Sequence, residues 1–80
     1  MSAKLESNGI KIGVNENDHA PAHVHAVKGT KMIRIDLTTL RSMDRVTEFS
    51  RAEVKFIIEV VTNHLEELLE DWNAKHPKRK

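Results

Sequence analysis

Ser50-Arg51-Ala52-Glu53-Val54-Lys55-Phe56-Ile57-Ile58-Glu59-Val60-Val61-Thr62-Asn63-His64-Leu65-Glu66-Glu67-Leu68-Leu69-Glu70-Asp71-Trp72 sets the architecture of this chain. Ser50 with Glu53 three residues on has the form of a capping box. Phe49 before the cap and Val54 after it are placed for a hydrophobic staple, so a helix begins at about Arg51. Val54, Ile57, Ile58, Val61, Leu65, Leu68 and Trp72 then recur at spacings of three and four, the apolar stripe of an amphipathic helix, and Pro77 ends it by about Lys75. At 1.5 Å per residue such a helix is roughly 36 Å long. A seven-residue strand spans only roughly 23 Å. The helix is therefore expected to overhang any sheet it covers, leaving Leu65, Leu68, Leu69 and Trp72 for a second chain or another partner.

Upstream of the helix the period changes from 3.6 to two. Ile10, Ile12 and Val14 alternate with Lys11, Gly13 and Asn15 as in a half-buried strand, and Glu16 to Pro21 has the Asn, Asp and Pro content of a loop. Ala22 to Val27 and Lys31 to Leu37 flank Lys28-Gly29, a hairpin signal. With that turn, His25 faces Met32 and His23 faces Arg34. Val24, Ala26, Ile33, Ile35 and Leu37 share one face, and His23, His25, Met32, Arg34 and Asp36 the other. Residues 38–47 fit either a further edge strand or an irregular crossover, and the ends, Met1 to Asn8 and Lys75 to Lys80, read as frayed. The expectation is a single α+β domain with an ordered core over about residues 9–75. A small three- to four-stranded antiparallel sheet packs against one long C-terminal helix, and a basic tail closes the chain.

Eighty residues form one small domain that buries a smaller share of its surface than a typical domain, so self-association is a natural source of added stability. Cysteine is absent, which removes disulfides and Cys-rich zinc sites and suits a reducing cytoplasm. No segment approaches a membrane span, and Met1 to Ser7 lacks the apolar core of a signal sequence, so a soluble cytoplasmic protein is expected. The formal net charge is only +1, but residues 51–73 carry Glu53, Glu59, Glu66, Glu67, Glu70 and Asp71 against Arg51 and Lys55. Basic residues gather instead in Lys75, Lys78, Arg79 and Lys80. A folded basic stripe for nucleic acid is missing, which leaves that partner weakly supported through the tail alone.

Two motifs add to this reading. Asp18-His19-Ala20-Pro21-Ala22-His23-Val24-His25 is followed by Ile33-Arg34-Ile35-Asp36 and by His64-Leu65-Glu66-Glu67-Leu68-Leu69-Glu70-Asp71-Trp72-Asn73. Together they resemble the small prokaryotic family called domain of unknown function 4160, with its H-x-P-P-H-x-H segment and H-x-E-E-L-x-x-x-W ending. The resemblance covers about residues 9–74 and departs at Ala22, where the family more often has a second proline. It implies a compact α+β domain, often encoded beside another small protein in loci that look like toxin and antitoxin pairs, and no established activity.

Chemistry, if the chain has any, rests on the histidines. His23 and His25, two apart on a strand, lie roughly 7 Å apart at Cα, from which two imidazoles can converge on one metal ion. His19 or Asp18 would be a third ligand, giving a divalent site for Zn, Ni or Mn with water in an open position. Asp36 is then a group that could orient an imidazole. The opposing reading is an ordinary polar, solvent-facing sheet surface. A third joins His23 and His25 with Arg34 in an anion or nucleotide site, since a fixed positive charge there opposes a divalent cation. His64, on the border of the helical stripe, reads as a half-buried packing residue. Phosphate-cradling glycine loops, nucleophile elbows, H-E-x-x-H helices and base-stacking aromatic ladders are all absent.

The leading functional expectation is a non-enzymatic interaction module of a toxin–antitoxin-like or mobile-element locus, binding a partner protein through its helix. A minimal metal-dependent hydrolase or nuclease using His19, His23 and His25, and an anion or nucleotide binder, are the alternatives. A homodimer with an interface at Leu65, Leu69 and Trp72 follows from the overhang argument.

Overall fold

The computed structural model describes residues 2–14 and 21–75, with side chains for 5–14 and 21–74. Strands β1 (Ser2–Ser7), β2 (Ile10–Val14), β3 (His23–Lys28) and β4 (Lys31–Asp36) form one antiparallel sheet in sequential order. Helices α1 (Arg51–Asn63) and α2 (Leu65–Lys75) follow. The architecture is the expected α+β one. Asp18, His19, Pro77, Lys78, Arg79 and Lys80 lie outside the described residues.

Two differences from the sequence reading concern strands. The N-terminal segment expected to fray is β1, paired with β2 from Ser2↔Val14 to Ser7↔Ile10 with a bulge between Ala3 and Leu5. Its turn is Asn8-Gly9, with φ +52° and +78°, the two left-handed residues that a tight hairpin requires. The second turn sits one residue later than expected. Lys28 pairs with Lys31, and Gly29, at φ +62°, opens the turn. Moving the turn by one residue slides each cross-strand partner by two, so the faces survive and only the neighbours change. His23 now faces Asp36, and His25 faces Arg34.

Ile10, Ile12, Val14, Val24, Ala26, Ile33, Ile35 and Leu37 make the buried sheet face, covered by Phe49, Ile57, Val61, Leu68 and Trp72. α1 starts as expected. Ser50 Oγ accepts the Glu53 N–H at 3.1 Å, and the Glu53 carboxylate accepts the Ser50 N–H at 2.8 Å. That backbone bond, more than the nearby Lys31, holds the Glu53 pKa below its usual value.

The single long helix is interrupted at His64, whose backbone (φ −122°, ψ +24°) leaves the helical region. The Thr62 hydroxyl donates to the Ile58 C=O at 2.8 Å, a bond that competes with the helical ladder just before the break. His64 Nδ1 meets Glu67 Oε1 at 2.9 Å across the first turn of α2. Beyond the break the helix end is covered by the chain's own sheet. α2 packs against β2, Leu68 is fully buried, Trp72 is buried within the single chain, and Leu65 and Leu69 are half-buried against the core. Trp72 is thus a core residue here rather than an exposed anchor.

Residues 38–47 are a crossover, not a strand, with one bridge between Ile35 and Ser42. They seal the outer edge of β4. The Asp36 N–H donates to the Arg41 C=O at 2.9 Å, the Met43 N–H to the Arg34 C=O at 2.8 Å, and the Thr47 hydroxyl to the Met32 C=O at 3.4 Å.

Candidate functional site

Strand alternation puts His23, His25, Val27, Met32, Arg34 and Asp36 on the face opposite the α1 core. This face is not the solvent surface expected at its histidine end, where His23 and His25 are both buried. Their rings lie 5.3 Å apart between centroids, tilted by 52°, and Trp72 lies 5.3 Å from His23 at 50°. His23 opens β3, so its ring is reachable from the end of the sheet, where α2 brings Trp72 in. The early H-x-H and the late tryptophan of the two motifs therefore meet in one aromatic cluster.

His23 Nδ1 lies 2.8 Å from the Pro21 C=O. A carbonyl can only accept, so Nδ1 carries the proton and Nε2 is the ring's basic nitrogen when the imidazole is neutral. That is the arrangement in which a histidine can serve as a metal ligand through Nε2, its tautomer set by a backbone oxygen. A metal needs more than two such groups. Among the described residues no three His, Cys, Asp or Glu side chains gather to hold an ion, and His19 and Asp18 lie outside those residues.

Arg34 is brought beside His25, but its charge is committed. Asp44 accepts the Arg34 backbone N–H at 2.8 Å through Oδ2, and Nη2 and Nε at 2.7 and 3.2 Å through Oδ1. The hydrogen bonds from the Arg34 guanidinium lower the Asp44 pKa, against the opposing effect of burial, and His25 adds a smaller effect in the same direction. An anion drawn to Arg34 would have to compete with this carboxylate, which the sequence reading did not single out. Asp36, expected as an orienting group, uses Oδ1 to accept the backbone N–H groups of Thr38 and Thr39 at 2.6 and 3.1 Å. It serves the turn that starts the crossover. Ser42 finishes the clamp: its hydroxyl donates to the Asp44 C=O at 2.8 Å and accepts the Asp44 N–H at 3.0 Å.

The outward side of the helices is chemically simpler. Glu59, Glu66, Glu67 and Glu70 are exposed, Asp71 is half-buried, and no Lys or Arg occurs from residue 56 to 74. Half-buried Val60, Leu65 and Leu69 fall in the same stretch, so the helical surface beyond Lys55 combines apolar area with one sign of charge, while exposed Arg51 and Lys55 stand at the start of α1. No described helix is long and apolar enough to cross a membrane.

No curated protein and no solved structure matches the chain. A family model does match, over residues 9–73, which spans the histidine segment, the sheet from β2 onward and both helices to just beyond Trp72. The chain belongs to the family described as Domain of unknown function (DUF4160).

Proposed function

We propose that this protein is a small, cytoplasmic, non-enzymatic interaction module that binds a basic partner protein through the outward face of α1 and α2. The setting proposed is a toxin–antitoxin-like or mobile-element locus. The observation that carries the reading is the acidity of that face beyond Lys55: exposed Glu59, Glu66, Glu67 and Glu70 accompany half-buried Leu65 and Leu69 with no Lys or Arg from residue 56 to 74, and the exposed cations Arg51 and Lys55 are confined to the first turns of α1. Such a surface steers a positively charged partner and repels a like one. The histidine end of the sheet is by contrast closed by Trp72, and its arginine is held by Asp44. Co-expression with the product of the adjacent gene tests the proposal. A complex that survives size exclusion and is lost with Glu66→Lys/Glu70→Lys supports it; no complex at about 10 μM of each protein counts against it.

A second reading, a minimal metal-dependent hydrolase or nuclease on His19, His23 and His25, is favoured by the carbonyl that presents His23 Nε2. Calorimetric titration with zinc, nickel and manganese tests it. Binding weaker than about 100 μM for all three removes it.

A further inference from the structure

Among the described residues the exposed large hydrophobics are Met32, 49% exposed, and Val46, 88% exposed. Their chain segments run side by side at the β4 edge, where Thr47, next to Val46, donates its hydroxyl to the Met32 C=O. Scattered exposed side chains are ordinary, but Val46 stands on a segment that is held in place. Asp44 is clamped to Arg34 and Ser42, Met43 is bonded to Arg34, and Thr47 also accepts the Phe49 N–H at 3.2 Å. A pinned segment presenting a nearly fully exposed valine loses little conformational freedom on binding.

We infer that this patch, Val46 and Met32 at the sealed edge of β4, is where a second copy of the chain docks. The choice of occupant follows from charge. Exposed Arg45 and Glu48 flank Val46 on either side, so a two-fold contact centred on Val46 sets Arg45 of each copy against Glu48 of the other. The helical face beyond Lys55 is less suited to a two-fold contact centred on itself, since two copies would set Glu66, Glu67 and Glu70 against themselves. The dimer contact then lies at the edge of β4 rather than at the helix end, where Trp72 is core. This inference stands independently of what those faces bind.

Sedimentation of the full chain at about 100 μM is the test. The expected result is a dimeric wild type and a monomeric Val46→Asp variant whose circular dichroism is unchanged, because Val46 makes little contact in the fold. Arg45→Glu and Glu48→Arg should each weaken the dimer by about tenfold, and the double exchange should restore it. Glu66→Lys/Glu70→Lys should leave it intact, which separates this contact from the partner site. A monomeric wild type, a Val46→Asp protein that still dimerises, or a double exchange that fails to rescue would overturn the proposal.

Discussion

Asp44 in the crossover and Trp72 in α2 each tie a distant part of the chain to the β3–β4 hairpin, and each has a distinct signature. Asp44 ties the crossover to β4 through charge-assisted bonds to both the side chain and the backbone of Arg34. Asp44→Asn should cost about 1–2 kcal/mol, toward the lower end because the Arg34 side chain is 40% exposed to screening solvent. The sign with pH follows from the lowered pKa. The stabilisation is complete above the ordinary value of 3.8 and is lost as pH falls through the depressed folded value. Urea midpoints of wild type and variant should therefore differ near neutral pH and converge in strong acid. Trp72 is the second case. Its burial against His23 makes Trp72→Ala a core deletion costing about 3–5 kcal/mol, whereas Trp72→Phe keeps an aromatic ring against His23 and should cost less. Denaturant unfolding at low protein concentration checks this; a loss confined to high concentration would instead return Trp72 to an interface.

Elements differ in how openly the sequence declares them. The capping box at Ser50 and Glu53 and the stripe from Val54 to Trp72 are local patterns, and the structure keeps both. The hairpin after Val27 is legible to within one residue, and period two protects the faces from that slip. β1 is different: beyond Ala3 and Leu5 it is polar, and an edge strand needs little more to be held by its neighbour. The Asn8-Gly9 pair was its readable signal. Gly9→Ala should cost about 1–2 kcal/mol from the left-handed backbone alone. A Cβ there would meet Lys28 Cε at 3.6 Å, an ordinary contact. Deleting residues 1–7 should do more, exposing the β2 edge and stripping Leu5 from the core; amide exchange in β2 would rise, whereas an unaffected β2 would mean that β1 contributes nothing. The break at His64 had no such announcement, because the stripe continues through it and the competing Thr62 bond is visible only in three dimensions.

Across the molecule, the candidate site was readable only in part. Alternation put His23, His25 and Arg34 on one face, but what surrounds them comes from far along the chain. Trp72 closes on His23 and Asp44 on Arg34, contacts that no local pattern encodes. The result is a protein with a closed histidine end, a mixed-charge patch at Val46 and an acidic helical face, each on a different part of the surface. Hydrogen exchange on the complex with the adjacent gene's product decides which of these is used. Binding through the helices predicts slowed exchange over Glu59 to Asn73 and unchanged exchange in β3 and β4. Protection confined to His23–Lys28 and Lys31–Asp36, with α1 and α2 untouched, would contradict it.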